Sequence, residues 1–180
     1  HIAANVHGES GLDGPALPEP TVQPVAENAV DFLAANLGPD VVLVPVGPLT
    51  NVAVLFRADE DIPGLLKSIV IMGGAYGAPG EAYPAGDAEW NLILDPHAAA
   101  IVYGAPVPIH RSIGLNVTEQ VRLPADEVRR RFDAPRLRGV LDFAEVYFKS
   151  ESEMVFHDPL AAATLFDDAI CGFERGTVGI

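Results

Sequence analysis

Two uninterrupted apolar stretches, at residues 41–46 and 68–72, constrain the fold of this 180-residue chain more than any other feature. Each ends at a break that contains glycine, Gly47-Pro48 after the first and Gly73-Gly74 after the second. A short apolar run without alternation is typical of a central parallel strand that is covered on both faces. Segments with helical spacing of apolar residues lie around these runs. The pattern predicts an α/β fold, with an open, mostly parallel, Rossmann-like sheet and helices on both faces.

The remaining elements follow from the same periodicity and from the Gly and Pro breaks. After a Gly- and Pro-rich loop over residues 1–24, we expect helices at 25–37, 49–57 and 62–66, a helix after Asp95, a strand at 107–110, and two helices within 124–151. Ligands of such sheets bind outside the carboxyl ends of the strands. Gly47-Pro48, Gly73-Gly74 and Arg111-Ser112 should therefore rim the site.

Composition excludes several classes of function. With 25 acidic and 11 basic side chains, the net charge is -14, which disfavours nucleic acid and anionic membrane surfaces as partners. No apolar run reaches the roughly 18 residues of a membrane helix. The single cysteine, Cys171, excludes an internal disulfide framework and favours a reducing compartment, so we expect a cytoplasmic protein. The length predicts a single domain over residues 1–180, and no phosphate-binding glycine motif is present.

A histidine and a carboxylate stand side by side where a loop should become a helix. The order His157-Asp158-Pro159 predicts Asp158 at the helix N-cap, Pro159 at the first helical position and His157 just outside. Asp158 could equally be no more than a cap, because Asp95-Pro96 repeats the pattern. His157 alone could also be an ordinary buried or surface histidine.

Three further polar clusters lie in predicted loops, and each has a structural alternative. They are His7-Gly8-Glu9-Ser10-Gly11, Thr50-Asn51 and Glu89-Trp90-Asn91. Glu9 and Ser10 could satisfy loop amides. Thr50-Asn51 could pack a turn, and the third cluster could be surface loop.

Six motifs, taken together and in this order, resemble the nucleoside hydrolases, the inosine/uridine-preferring nucleoside N-ribohydrolase family. They are His7-Gly8-Glu9-Ser10-Gly11-Leu12, Val44-Pro45-Val46-Gly47-Pro48-Leu49-Thr50-Asn51, Met72-Gly73-Gly74-Ala75, Ala88-Glu89-Trp90-Asn91 with Asp95-Pro96-His97, Gly114-Leu115-Asn116-Val117-Thr118, and His157-Asp158-Pro159-Leu160-Ala161. The resemblance covers essentially the whole chain. It implies the nucleoside hydrolase fold, hydrolysis of the N-glycosidic bond of ribonucleosides to base and ribose, and a homodimer or homotetramer when complete.

The resemblance also implies a Ca²⁺ ion, held in part by the carboxylate of Asp158 and by the backbone carbonyl of Val46. Oxygen ligands of this kind suit a hard cation. The family match places Glu89 and Asn91 on the ribose hydroxyls. A proton donor to the departing base and carboxylates around a cationic sugar are what breaking an N-glycosidic bond requires.

Two histidines complete the site that the resemblance implies. In the family, the residue that matches His157 lies near the leaving base, so His157 is the candidate general acid. The residue that matches His7 lies near the nucleoside. The metal would lower the pKa of the attacking water.

The chain departs from the family pattern in two places. The Asp-rich motif that supplies most metal ligands and the general base would precede His1, and the last strands would follow Ile180, so we expect an inactive fragment that is incomplete at both ends. In the lengthened loop before Ala88, Glu81 or Tyr83 could replace an asparagine that binds the sugar 5′-hydroxyl. The alternative function is a non-catalytic nucleoside- or ribose-binding relative that has lost the metal motif. A serine hydrolase is disfavoured because no G-x-S-x-G sequence occurs.

Overall fold

The computed structural model describes residues 4–11, 13–15, 19–77 and 88–180. In chain order its helices and strands are α1 (Ala4–His7), α2 (Ala29–Asn36), β1 (Val42–Leu43), α3 (Thr50–Ala58), α4 (Ile62–Leu65), β2 (Ser68–Met72), α5 (Trp90–Ile93), α6 (Pro96–Tyr103), β3 (His110–Ile113), α7 (Leu115–Thr118), β4 (Arg122–Pro124), α8 (Ala125–Arg131), α9 (Arg138–Tyr147), β5 (Glu153–Val155) and α10 (His157–Ala163). They divide into a larger unit, Val25–Gln120 with Phe156–Ile180, and a smaller unit, His1–Pro24 with Val121–Val155.

A three-stranded parallel sheet forms the centre of the larger unit, in the order β1-β2-β3. Val42 of β1 is opposite Ser68 of β2, and Ile69 to Met72 of β2 are opposite His110 to Ile113 of β3. Every residue of β2 is buried. The predicted α/β class with a mostly parallel sheet is confirmed.

Both faces of β2 are covered, which explains why its sequence is apolar without alternation. Ile69 and Ile71 belong to a core cluster that also contains residues of α3 and α6. Val70 and Met72 point to the opposite face, where they belong to a cluster with Leu160 of α10. Helices therefore lie on both faces of the sheet. The packing of Leu160 also places α10, which carries His157 and Asp158, against β2.

The first helix of the larger unit starts later than the periodicity predicts, at Ala29. The cause is a cap: the side-chain oxygen of Asn28 accepts hydrogen bonds from the backbone N–H groups of Val30 and Asp31, both at 3.0 Å. An asparagine in extended backbone geometry is a favoured N-cap. The apolar residues before it are consequently outside the helix.

The prediction of a strand at 107–110 is wrong by three residues, since β3 covers His110–Ile113. Pro108 has no N–H to donate, and the ladder with β2 begins only where Ile69 N donates to Ile109 O at 2.9 Å. Arg111 and Ser112 therefore lie inside the strand, not after it. The run at 41–46 likewise yields only Val42–Leu43 as a strand, and Pro45 in that run also has no N–H to donate.

The smaller unit contains the two helices predicted within residues 124–151, which are α8 and α9. It also contains an antiparallel pair that the sequence analysis missed, in which Leu123 of β4 is opposite Met154 of β5. The single-domain organisation stays a prediction. In the described part of the chain, no helix has the length and apolar character needed to cross a membrane.

Candidate functional site

A glycine turn follows β2 at the carboxyl edge of the sheet. Gly74 has φ +95°, a left-handed conformation that favours glycine, and a Cβ at this position would collide with the ring of Tyr76. The turn is held by two backbone hydrogen bonds: Gly73 N donates to Ile113 O at 3.1 Å, and Leu115 N donates to Gly74 O at 2.9 Å. The turn is thereby tied to β3 and to α7.

Glu89 lies against this turn and is almost fully buried, with 4% of its surface exposed. It is the N-cap of α5. Its Oε1 accepts from Asn91 N at 2.8 Å, while its Oε2 accepts from Leu92 N at 3.1 Å and from Gly74 N at 3.4 Å. The carboxylate is therefore oriented by three N–H groups of the protein.

The side chain of Asn91 is also engaged by the fold. Its Nδ2 donates to the carbonyl oxygen of Met72 at 3.1 Å and lies 3.4 Å from the sulfur of the same residue. The structure thus brings Glu89 and Asn91 together at the end of β2. A carboxylate offers about four lone-pair positions, so Glu89 can accept further bonds. Binding of ribose by these two residues stays a prediction.

Behind the glycine turn, a serine and two tyrosines form a hydrogen-bonded cluster. Ser112 Oγ donates to the carbonyl of Gly73 at 2.8 Å and lies 2.7 Å from the hydroxyl of Tyr76 and 2.6 Å from that of Tyr103. One donor and two acceptor positions of the serine hydroxyl are then all used. Burial raises the pKa of Tyr103 far above its ordinary value. The spacing of these residues along the chain gives no signal from which the cluster could have been predicted.

The prediction that Asp158 caps its helix is wrong. The N-cap of α10 is Phe156, with φ -101° and ψ 74°, and it makes no side-chain cap hydrogen bond. His157 is the first helical residue, and Asp158 and Pro159 follow within the first turn. Proline is tolerated there because the first N–H groups of a helix have no intrahelical partner.

The carboxylate of Asp158 has no hydrogen bond to any residue in the described part of the chain. Burial raises the pKa of this carboxyl above its ordinary value, and the neighbouring His157 offsets part of that effect. Burial disfavours the charged form of a carboxyl. Asp158 is nevertheless exposed as a whole residue, so its charged form is disfavoured only slightly.

The ring of His157 is held by a threonine. Thr118, the last residue of α7, is completely buried, and its Oγ1 lies 2.7 Å from His157 Nδ1. The contact joins the end of α7 to the start of α10. The sequence analysis included Thr118 in a family motif but assigned it no role.

The two predicted metal ligands, Asp158 and Val46, have the oxygen chemistry that Ca²⁺ prefers. Val46 follows β1 and is 45% exposed, and no backbone N–H among the described residues bonds to its carbonyl. Within the described ranges, however, no three His, Cys, Asp or Glu side chains are grouped so that they could hold a metal ion. Ca²⁺ takes about six to eight oxygen ligands, so these two residues fit the ion but do not complete its shell.

His7 lies in the smaller unit, where it is the exposed last residue of α1. The loop after it is held by Asp13, which accepts from Glu9 N at 3.0 Å, from Ser10 N at 3.4 Å and from the Ser10 hydroxyl. The Ser10 hydroxyl is the main cause of the lowered pKa of Asp13. Asp13, which the sequence analysis did not single out, satisfies the loop amides in place of the Glu9 and Ser10 side chains. The role of His7 stays a prediction.

Glu81 and Tyr83, the predicted ligands of the sugar 5′-hydroxyl, lie outside the described residues.

Residues 1–180 match the family model described as inosine-uridine preferring nucleoside hydrolase. The chain is 39% identical to the pyrimidine-specific ribonucleoside hydrolase RihA of Shewanella sp. (strain MR-7), over 99% of this chain and 59% of that protein. It is 40% identical to RihA of Salmonella paratyphi A, over 99% of this chain and 60% of the relative. The chain thus spans about three fifths of the length of these curated relatives.

Solved structures agree with this assignment. The purine-preferring ribonucleoside hydrolase from Gardnerella vaginalis superposes with a TM-score of 0.76 at 31% identity, over 93% of this chain and 56% of the other. A plant nucleoside hydrolase superposes with a TM-score of 0.77 at 26% identity, over 94% of this chain and 56% of the other. The chain belongs to the inosine-uridine preferring nucleoside hydrolase family.

Proposed function

We propose that the protein hydrolyses the N-glycosidic bond of ribonucleosides and releases the free base and ribose. One observation carries the proposal: His157 and Asp158 stand together at the start of α10, with the ring held by a buried threonine and the carboxylate left without a hydrogen bond from the described residues. An oriented imidazole beside a carboxyl of raised pKa is the kind of arrangement found at functional sites. The names of the relatives support the same activity.

The reaction breaks the bond between C1′ of the ribose and a nitrogen of the base. The bonding electron pair moves to the base, which takes up a proton, while a water oxygen forms a new bond to C1′ and the water loses a proton to a carboxylate base. The imidazolium form of His157 is the proposed proton donor to the base, and the ring is left neutral. Because Thr118 occupies Nδ1, the donor atom would be Nε2. General acid catalysis typically contributes about 10²- to 10⁴-fold in rate.

Asp158 and the carbonyl of Val46 are the residues of this chain that would hold Ca²⁺. When bound, the ion would bind the ribose diol and lower the pKa of the attacking water. The negative charge of Asp158 would in addition favour the positive charge that develops on the sugar.

Glu89 and Asn91 would bind the ribose hydroxyls. Three N–H donors already hold the Glu89 carboxylate in place. The loss of side-chain entropy when it binds a ribose hydroxyl is therefore small. Glu81 or Tyr83 is proposed as a ligand of the sugar 5′-hydroxyl, and His7 as a residue near the nucleoside. The predicted dimer or tetramer and the cytoplasmic location stay predictions.

The base is the least constrained part of the proposal. RihA relatives at 39% and 40% identity are named pyrimidine-specific, whereas a structural neighbour at 31% identity is named purine-preferring. The higher identity favours a pyrimidine ribonucleoside, so uridine and cytidine should be tested first.

A substrate panel tests the activity. The complete protein is incubated with uridine, cytidine, inosine and adenosine, with CaCl₂ or with a chelator, and the release of reducing sugar is followed. We expect sugar release that depends on Ca²⁺ and is fastest with a pyrimidine. Calorimetric binding of nucleoside with no sugar release would instead establish the non-catalytic alternative, and neither binding nor release would refute both functions.

A further inference from the structure

The contact between Thr118 and His157 is more specific than a packing contact. Thr118 is 0% exposed, and its hydroxyl lies 2.7 Å from Nδ1 of the imidazole, which is within the normal range for a hydrogen bond. The two residues are 39 positions apart in the chain. The imidazole of His157 on α10 is thus held by the buried hydroxyl of Thr118 on α7.

The direction of this hydrogen bond can be deduced. Within the described part of the chain, the Thr118 hydroxyl is bonded only to His157 Nδ1. If the hydroxyl accepted a proton from Nδ1, its own O–H would be buried without an acceptor, which is unfavourable. When the ring is neutral, Thr118 therefore donates to Nδ1 and the ring proton is on Nε2. When the ring is the imidazolium, Nδ1–H donates to Thr118 Oγ1 instead.

Thr118 is itself fixed by its surroundings. Its N–H donates to Gly114 O at 3.1 Å, and α7 is joined to the glycine turn by the bond from Leu115 N to Gly74 O at 2.9 Å. Val117 packs against the core cluster that includes Leu160 of α10. The hydroxyl therefore has a defined position relative to the ring.

We propose that Thr118 is a positioning residue for His157: its buried hydroxyl holds Nδ1 and so fixes the orientation of the ring, with Nε2 directed to the departing base. The proton is donated by the imidazolium form of the ring, which has N–H on both nitrogens and becomes neutral when the Nε2 proton moves to the base. The inference deepens the proposed function and rests on it for its catalytic consequence. The ring orientation and tautomer are properties of the folded protein and hold whether or not the base is released.

Thr164 provides a matched control. It is also a buried threonine, at 1% exposure, and its hydroxyl also makes a 2.7 Å hydrogen bond, but to Ala161 O of its own helix. Thr118→Val and Thr164→Val make the same chemical change at equal burial. Only the first removes a hydroxyl that contacts the imidazole.

The kinetic arm compares Thr118→Val, Thr118→Ser and Thr164→Val in the complete protein. We expect Thr118→Val to lower kcat for uridine by about tenfold or more, which is part of the roughly 10²- to 10⁴-fold contribution of a general acid, with KM nearly unchanged. Thr118→Ser should restore most of the activity, and Thr164→Val should retain it. With p-nitrophenyl riboside, whose leaving group needs no proton, Thr118→Val should have a smaller effect. Equal kcat losses in the two valine variants would overturn the catalytic role.

The spectroscopic arm is independent of activity. Two-bond ¹H–¹⁵N spectra of the purified protein, assigned with His157→Gln, report which nitrogen of the neutral ring carries the proton. We expect an unprotonated Nδ1 in the wild type and in Thr164→Val, and a changed Nδ1 signal in Thr118→Val. A protonated Nδ1 in the wild type, or a signal unaffected by Thr118→Val, would overturn the positioning role. If the wild type releases no sugar while the tautomer is as expected, the proposed function fails and the assignment of the contact stands.

Discussion

Two helices of the larger unit have an Asp-Pro pair at or near their first residue. The two aspartates differ in their position relative to the helix start and in their hydrogen bonds. In α6, Asp95 is the N-cap and Pro96 the first helical residue. Asp95 Oδ1 accepts from Ala98 N at 3.0 Å and its Oδ2 accepts from Thr50 Oγ1 at 2.6 Å. In α10 the same pair stands two residues further into the helix, and the Asp158 carboxylate makes no such bond to the described residues.

The pKa values of the two carboxyls move in opposite directions. The hydrogen bond from Thr50, followed by that from Ala98 N, lowers the pKa of Asp95, whereas burial raises the pKa of Asp158. The fold favours the charged form of Asp95 and slightly disfavours that of Asp158, which is exposed. A carboxyl whose pKa is raised and that caps no helix is the better candidate for binding a ligand.

The largest expected effect is the loss of function in Asp158→Asn. If the carboxylate is a metal ligand, the Ca²⁺ affinity of the complete protein should fall by more than about 100-fold, since loss of an outer-shell partner already costs about 10- to 100-fold. Hydrolysis at fixed Ca²⁺ should be lost with it. Titration calorimetry with CaCl₂ measures the affinity.

Asp95→Asn is the matched control for this variant. It makes the same change at the other Asp-Pro pair and should keep both Ca²⁺ affinity and turnover. Unchanged affinity in Asp158→Asn, or equal losses in the two variants, would contradict the division of roles between the two aspartates.

A second comparison uses the histidines beside these aspartates, His157 in α10 and His97 in α6. His157→Ala should lower turnover of uridine by about 10²- to 10⁴-fold, because a general acid is removed, and should affect p-nitrophenyl riboside far less. His97 is exposed, so His97→Ala should have little effect on either substrate. Initial rates with the two substrates show how much more turnover is lost with uridine than with p-nitrophenyl riboside. Equal losses with both substrates in His157→Ala would argue against proton donation.

The sequence predicted more of the fold than of the site. The sequence predicted the buried strand β2 from one apolar run and the helices on both of its faces from helical spacing. These predictions succeed because apolar residues are the ones that become buried, so their pattern reports which segments are covered. The three-residue error in β3 arose because Pro108 interrupts strand pairing within an apolar run.

The details of the site depend on contacts between distant residues, which periodicity does not encode. Nothing local distinguishes Asp95-Pro96 from Asp158-Pro159, and the observed difference depends partly on Thr50, which is 45 positions from Asp95. The hydrogen bond between Thr118 and His157 likewise joins two helices, and its partners are 39 positions apart in the chain. The family motifs identified candidate residues, but they do not encode the hydrogen-bond partners of those residues.

The cap itself should have a moderate effect on stability. Asp95→Ala removes the acceptor for Ala98 N and Thr50 Oγ1, so we expect the melting temperature to fall by about 2–4 °C, as for a typical lost N-cap in a protein of this size. Asp158→Ala removes no such bond and should not lower it. Thermal unfolding followed by circular dichroism, in the absence of Ca²⁺, compares the two variants. A larger fall for Asp158→Ala would show that its carboxylate also supports the fold.

The smallest expected effect is a difference in the pH dependence of stability, and its sign differs between the two aspartates. The folded pKa of Asp95 lies below its ordinary value of 3.8, so its stabilisation is complete above that value and is lost as the pH falls through the folded pKa. The excess stability of the wild type over Asp95→Asn should therefore shrink between about pH 5 and pH 2.

For Asp158 the folded pKa is raised, so the charged form costs stability above that pKa, and the cost disappears as the pH falls through it. Metal-free Asp158→Asn should thus be slightly more stable than the wild type at neutral pH, and this advantage should close on acidification. Urea unfolding of both asparagine variants and the wild type at several pH values measures the two trends. Trends of the same sign would mean that the two carboxylates are in equivalent environments, which would remove the physical basis for treating one as a cap and the other as a ligand.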